Sequence, residues 1–196
     1  MNPVKLNFKV YQGSTFNEVL RWESSKKIYK AISGITQAAP CVVSVIGHGV
    51  PDGWRVKTTN IGGMVELNSA EEYKVATVLG ADSIEFNSVN SLGYKAYTSG
   101  GVIEYNEPLN LTGYTARMQI REKLDSTEII KSLTSDPSGG ISIDTSGYKI
   151  TITISATDTA EFTFSSAVYS LELVSSTGVV NQLMSGTLTL VREVTR

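Results

Sequence analysis

The chain has 196 residues, a formal net charge of −2 and one cysteine. This length allows one large β domain or two small ones, and either can bury a core without a metal or a disulfide. The charge provides no basic field for nucleic acid, and a single cysteine excludes an internal disulfide and a cysteine-based metal site.

The N-terminal residues, MNPVKLNFKVYQG, contain no apolar core of the kind found in signal peptides. No stretch approaches the roughly eighteen apolar residues that a membrane span requires. We therefore expect neither a signal peptide nor a membrane segment. The expected place of synthesis is the reducing cytoplasm of a host cell.

Alternation of apolar and polar residues predicts half-buried antiparallel strands along most of the chain. In YKITITI (148–154), the isoleucines and Tyr148 share one face, while Lys149 and the threonines share the other. Further predicted strands are, in chain order, VKLNFKV (4–10), VVSVIG (42–47), WRVKTT (54–59), YKVATVL (73–79), SIEFNSV (83–89), TARMQIRE (115–122), YSLELVS (169–175) and GTLTLVREV (186–194).

Glycine-containing turns separate these strands, for example at Pro51-Asp52-Gly53 and Thr177-Gly178. Short strands that recur about every 8–12 residues, with turns between them, are typical of a sandwich or a barrel. Helix signals are confined to two single turns, ATDTAE (156–161) and SAEEY (69–73), with Ser69 as the N-cap of the second. The predicted fold class is all-β.

The middle of the chain differs in composition from its two ends. Residues 31–104 are rich in glycine and acidic, whereas 1–30 and 105–196 share threonine-rich strands. We predict a discontinuous antiparallel β-sandwich from 1–30 plus 105–196, with a second domain inserted at 31–104. Insertions of this kind are tolerated at exposed loop tips, where few buried backbone bonds are lost.

Reactive side chains are few, and none has obvious catalytic partners. His48, the only histidine, lies between two glycines in IGHGVPDGW, and we interpret it as shaping a tight loop. Cys41 opens an apolar run without basic neighbours, which favours a core residue over a reactive thiol. We predict no catalytic, cofactor-binding or metal-binding residue.

The acidic residues follow the same interpretation. The pairs Glu71-Glu72 and Asp158/Glu161 could in principle perform glycosidase chemistry, but solvated turn charges are the favoured interpretation. Asp125, Asp136 and Asp144 do not have the spacing of a calcium loop. The glycine clusters match neither a phosphate loop nor a dinucleotide fingerprint.

Three stretches in the middle of the chain form one continuous pattern, from an Ala-Pro and a β run through a His-Gly turn to a Tyr-Thr-Ser-Gly-Gly end: AAPCVVSVIGHGVPDGWRVKTTNIGGMVELN (38–68), YKVATVLGADSIEF (73–86) and SLGYKAYTSGGVIE (91–104). Together they resemble the first-catalytic-cysteine half-domain (FCCH-like module) of ubiquitin-activating enzymes, a small β-barrel. The resemblance implies the fold and not the activity, because the adenylation and thioester chemistry of those enzymes belongs to other domains. Similar modules occur as decorations on phage structural proteins.

The outer parts carry a second pattern: QGSTFNEVLRW (12–22), LNLTGYTARMQIREK (109–123), GGISID (139–144), GYKITITISATDTAEF (147–162) and YSLELVSSTGVVNQLMSGTLTLVREVTR (169–196). They resemble the immunoglobulin-like sandwich at the N-terminus of phage baseplate and tail-fibre proteins. In that family, the strand that ends near Trp22 turns directly into the Leu-Thr-Gly-Tyr strand. Here the inserted module stands in that turn.

The two resemblances imply a non-enzymatic bacteriophage virion protein of the tail, neck or baseplate. It would be a head–tail adaptor, collar-type subunit or tail-fibre attachment piece. The implied partners are other virion proteins (portal, tail tube, baseplate or fibre subunits), with a cyclic homo-oligomer in the particle. We expect no nucleic acid, membrane or cofactor among its partners. Residues 1–5 and 192–196 are expected to be arms that add a strand to a neighbour.

Two alternatives remain. A carbohydrate- or receptor-binding module of a phage tail would use Tyr94, Tyr97 and Trp54 as stacking side chains. A hydrolase of cell-wall glycan would act through Glu71, Glu72 or Asp82, and we rank it last because none of these acids has a clear partner.

Overall fold

The computed structural model describes residues 3–69 and 71–193. Almost all of its regular structure is β-strand in several antiparallel sheets, which confirms the all-β prediction. No helix in the described part of the chain is long and apolar enough to cross a membrane.

The elements in chain order are β1 (Val4–Lys5), β2 (Phe8–Tyr11), β3 (Phe16–Arg21), β4 (Glu23–Ala31), β5 (Gly34–Ile35), β6 (Cys41–Ser44), β7 (Trp54–Gly62), a 3-10 turn (Val65–Leu67), β8 (Lys74–Gly80), β9 (Ser83–Phe86), β10 (Ser99–Pro108), β11 (Thr115–Arg121), β12 (Lys131–Thr134), β13 (Ile141–Asp144), β14 (Lys149–Ile154), α1 (Ala156–Ala160), β15 (Ser166–Val174) and β16 (Val180–Val191).

The chain divides into two compact units, and the second interrupts the first. Unit 1 comprises Met1–Trp22 and Asn110–Arg196, and unit 2 comprises Glu23–Leu109. These boundaries differ from the expected ones at 30/31 and 104/105. The reason is that β4 pairs with β10 from Val102↔Ala31 to Pro108↔Glu23, so both strands belong wholly to unit 2.

Unit 1 is a β-sandwich. Its larger sheet has the order β1-β16-β15-β11-β12, with β2 also paired to β16, and its smaller sheet has the order β13-β14-β3. The predicted alternation in β14 is confirmed, because Ile150, Ile152 and Ile154 are fully buried while Thr153 is exposed. Each buried isoleucine contributes roughly 1.5–3 kcal/mol through removal of apolar surface from water.

The larger sheet supplies the other half of this core. Met118 and Ile120 of β11 and Leu171 and Leu173 of β15 are almost completely buried. They alternate with exposed or half-exposed polar residues, as in a sheet with one face toward the core and one toward solvent.

The helix α1 lies where a helical turn was predicted, at Ala156–Ala160. Ser155 is its N-cap, because its hydroxyl accepts a hydrogen bond from the backbone N–H of Asp158 at 3.1 Å. At the second predicted turn, the Ser69 hydroxyl accepts from the Glu72 N–H at 2.8 Å, but residues 69 and 71–73 are not helical. Residue 70 lies outside the described residues.

Unit 2 is one strongly curled sheet with the order β4-β10-β7-β8-β9-β6-β5. Its two end strands, β4 and β5, are consecutive in the chain and are separated only by Ile32 and Ser33. The Ile32 N–H donates to the Gly101 carbonyl, and the Ser33 N–H donates to the Ser44 carbonyl, so this link bonds to both ends of the sheet. The strand ladders nevertheless form an open path, and the expected closed barrel is not found among the described residues.

Candidate functional site

His48 holds a loop of unit 2 in place. Its side chain is 2% exposed, and its Nδ1 accepts a hydrogen bond from the Val50 N–H at 2.9 Å. Because Nδ1 is an acceptor, the proton of the neutral ring is on Nε2, which donates to the Gly80 carbonyl at 2.8 Å. The Tyr105 hydroxyl also donates to the His48 carbonyl at 2.6 Å. Both ring nitrogens are thus engaged by backbone, as the loop interpretation expects.

Cys41 lies in the core of unit 2 and has no exposed surface. Burial raises the pKa of its thiol, and this effect is larger than the opposing effect of Ser91. A thiol in this state is a poor nucleophile, because the reactive species is the thiolate.

The acidic residues make separate, local interactions. Asp82 accepts a hydrogen bond from the Gly47 N–H at 2.8 Å and so helps to fix the His48 loop. Asp158 forms an ion pair with Lys131 at 2.5 Å, and its pKa is lowered first by Lys131 and then by Ser155. Glu71 and Glu72 are exposed. No group of three metal-binding side chains occurs in the described ranges, 3–69 and 71–193.

The aromatic candidates for ligand stacking are only partly accessible. Trp54 is completely buried, and its indole N–H donates to the Asn106 carbonyl at 2.9 Å, so its proposed stacking role was wrong. The Tyr97 hydroxyl lies 3.0 Å from the Gly100 carbonyl and 3.2 Å from that of Ile32, which anchors the ring to β10 and the β4–β5 link. Tyr94 is half-buried.

Positive charges gather around Tyr73 on unit 2. The cationic groups of Lys27, Arg55 and Lys57 lie 5.4, 5.3 and 4.6 Å from the centre of its ring. Two carboxylates partly offset these three cations, because Glu104 forms an ion pair with Lys27 and Glu23 forms one with Arg55. This mixed network joins β4, β7 and β10, and each of its two carboxylates is engaged by one of the cations.

The sandwich of unit 1 is closed along one side. There, Thr134 at the end of β12 forms a parallel bridge with Gly140, just before β13. Gly140 also accepts from the Thr153 N–H of β14 at 2.7 Å. Its φ of +86° and the Leu133 side chain, 2.7 Å from where a Cβ would lie, explain why glycine occupies this crossing.

The opposite side of the sandwich is open. β1 and β2 form the edge of the larger sheet and β3 forms the edge of the smaller one, and a short turn at 12–15 joins β2 to β3. The Phe8 and Phe16 rings meet across this junction at 5.4 Å. Both open edges therefore come from one continuous segment, residues 4–21, which we call the edge strip. No strand of the described chain pairs with its outer side.

The edge strip exposes an unusual share of apolar surface. Val4, Tyr11 and Val19 are 59%, 57% and 47% exposed, and Leu6 is 39% exposed. Its charged side chains at the β1–β2 edge are basic, because Lys5 and Lys9 are exposed. An unpaired edge with apolar side chains is a template for pairing with another chain, and lysines are a common means of limiting unwanted pairing.

The strip is held firmly to the sandwich. The Leu6 N–H donates to the Ser185 carbonyl at 3.0 Å, and the Leu6 carbonyl accepts from the buried Tyr169 hydroxyl at 2.8 Å. Burial, followed by the charge of Glu18, raises the pKa of Tyr169 to about 12. Gly186 allows this close approach, because a Cβ there would lie 1.8 Å from the Leu6 oxygen. The strip is therefore a preformed surface rather than a loose arm.

Sequence reasoning placed an assembly arm at residues 1–5 and did not identify the longer strip. Residues 1–2 of that arm, and 194–196 of the C-terminal one, lie outside the described residues. The usable signal was the excess of lysine and arginine in residues 1–30, six against two acidic residues. It could not be assigned to an edge without the pairing of β16.

The fold and this surface define a two-unit, all-β protein whose main candidate site is a sheet edge. A scan against protein-family models finds no match to the chain, and a search of curated proteins finds no significant match.

Proposed function

We propose that the chain is a non-enzymatic structural subunit of a bacteriophage virion, located in the tail, neck or baseplate, that docks neighbouring virion proteins. The observation that carries the proposal is the edge strip, an ordered and unpaired double sheet edge with exposed Val4, Leu6, Tyr11 and Val19. Such an edge binds another chain through backbone hydrogen bonds, and its side chains select the partner.

The chemistry of the candidate residues supports the same proposal. His48 and Cys41 are buried and engaged in the core of unit 2. Asp82 and Asp158 accept hydrogen bonds within the fold. A catalytic site instead requires a nucleophile, a base and an orienting group that converge on one exposed point.

The proposed subunit has two parts, the sandwich and the inserted unit. Glu23 and Pro108, at the two crossings of unit 2, are paired partners in the β4–β10 ladder. The chain thus enters and leaves the inserted unit at neighbouring points, as in insertions that leave the host fold intact. In the proposed subunit, the sandwich serves as the attachment piece and the inserted unit is a decoration. The resemblances of both parts to phage structural modules agree with this division.

Immunogold electron microscopy tests the proposal. An antibody raised against unit 2 would be applied to intact particles of a phage that encodes the chain. We expect gold confined to the tail, neck or baseplate, and loss of labelling when the antibody is first absorbed with purified chain. Unlabelled particles, with the chain found free in the lysate, would reject the proposal.

A further inference from the structure

A second surface of unit 1 is complementary to the edge strip. It is a groove of about 340 Å³ between the loop that follows β11 and the segment that follows α1. Its apolar part is formed by Ile130, Phe162 and Phe164, and the two phenylalanine rings lie 5.2 Å apart. Glu122, Glu128 and Glu161 line the same groove, and no lysine or arginine does.

The groove is preformed, because both of its walls are fixed. The Ile130 N–H donates to the Ile120 carbonyl at 2.9 Å, which ties the end of the loop to β11. Arg121 donates to the carbonyls of Ser126 and Thr127, at 2.5 and 3.1 Å, and so supports the middle of the loop. On the other wall, the Phe162 carbonyl accepts from the Gln12 side chain at 3.0 Å.

This last hydrogen bond also shows that the groove lies beside the edge strip, since Gln12 directly follows β2. One corner of unit 1 thus carries a basic, apolar edge next to an acidic, apolar groove. Lys5 and Lys9 on the edge, and the three glutamates of the groove, form no ion pair with other described residues.

We propose that the partner of the edge strip is a second copy of this chain, with Lys5 and Lys9 of one copy facing Glu122, Glu128 and Glu161 of the other. Adjacent patches of opposite charge are self-complementary about a two-fold axis, because each patch of one copy then meets the other patch of its partner. Val4, Leu6 and Tyr11 would cover Ile130 and Phe164. This inference rests on the proposed function and names the partner of the same site.

Sedimentation velocity of the purified full-length chain tests the contact. We expect a dimer at about 0.1 M salt that weakens at about 1 M salt, where the Debye length falls from about 10 Å to about 3 Å. The double variant Lys5→Glu/Lys9→Glu and the double variant Glu122→Lys/Glu128→Lys should each shift the chain to monomer. Mixed in equal amounts, the two variants should associate with each other, because the charges are complementary again.

A matched control for Glu122→Lys/Glu128→Lys is the double variant Glu71→Lys/Glu72→Lys, which makes the same change of net charge on exposed residues of unit 2. It should sediment like the unaltered chain. Circular dichroism of every variant checks that the β structure is retained. A second measurement uses zero-length carbodiimide crosslinking of mixed isotope-labelled and unlabelled chain, in which crosslinks from Lys5 or Lys9 to the groove glutamates should join labelled to unlabelled peptides.

A wild-type chain that stays monomeric at all salt concentrations, or variants that associate as the wild type does, would overturn the inference. Gold-labelled particles combined with a monomeric purified chain would reject this contact and leave the proposed function standing. A charge-dependent dimer combined with unlabelled particles would support this contact and reject the proposed function.

Discussion

The two units solve the problem of open sheet edges in different ways. Unit 2 curls its sheet until the end strands β4 and β5 are consecutive in the chain, and the Ile32–Ser33 link bonds to both ends of the sheet. Unit 1 closes one side of its sandwich at Thr134 and Gly140 and leaves β1, β2 and β3 open on the other. In unit 2, the link between the end strands thus forms backbone hydrogen bonds within the unit. Unit 1 instead presents a sheet edge to which a strand of another chain can add.

The largest expected effect is on the core of unit 2. Trp54→Ala removes a fully buried indole and leaves the Asn106 carbonyl without its donor. Loss of an aromatic side chain from a core costs about 3–5 kcal/mol. Denaturant unfolding followed by circular dichroism should show an early transition for unit 2, while the fluorescence of Trp22 still reports unit 1. A transition with the same midpoint as the wild type would contradict the core role of Trp54.

The next effect concerns the loop that His48 fixes. His48→Ala leaves both the Val50 N–H and the Gly80 carbonyl without a partner. Val50 is buried, and leaving its N–H unpaired costs about 1–3 kcal/mol. Hydrogen exchange should speed up at Val50 in this variant and stay unchanged at the amides of β14 in unit 1. Unchanged exchange at Val50 would show that the hydrogen bonds of the His48 ring do not hold this loop in place.

Gly186→Ala should affect only the open side of unit 1. The added Cβ would lie 1.8 Å from the Leu6 oxygen, so β1 must move away from β16. Overpacking of this kind costs about 1–3 kcal/mol. Limited proteolysis should then cut near residues 4–7 faster than in the wild type. Gly93→Ala is the control, because a Cβ at Gly93 would meet no heavy atom within 4 Å. Equal cleavage rates in both variants would contradict the described position of the strip.

The smallest expected effect is the contribution of Tyr169 to the pH dependence of stability, through its hydrogen bond to the Leu6 carbonyl. Its pKa is raised to about 12 in the folded state, against about 10 in an unfolded chain. A raised pKa means that the stability is fully present below about pH 10 and is lost as pH rises through about 12. Tyr169→Phe should lose about 0.5–1.5 kcal/mol at neutral pH and show a shallower alkaline decline. Parallel alkaline declines in wild type and variant would refute the assignment.

Strands were predictable from the sequence wherever one face of the strand is buried and the other is exposed to solvent. The pattern at 148–154 identified β14 and its inward isoleucines, although Tyr148 lies just before the strand and is half-buried. The run ATDTAE located the helical turn. The loop role of His48 was predicted because little else in the chain could complete a catalytic triad with it. In each case, the signal depends on side chains close together in the chain.

The sequence by itself determined the fold class, the inward faces of the main strands and the existence of a compositionally distinct middle segment. Only the tertiary structure decided the unit boundaries at Trp22 and Asn110, the curl of unit 2 and the open side of unit 1. β4 has no alternating apolar pattern, so local periodicity did not predict it. Its position is defined by its pairing with β10. The edge strip and its neighbouring groove likewise depend on pairing between residues far apart in the chain, such as Leu6 with Ser185, which local periodicity cannot encode.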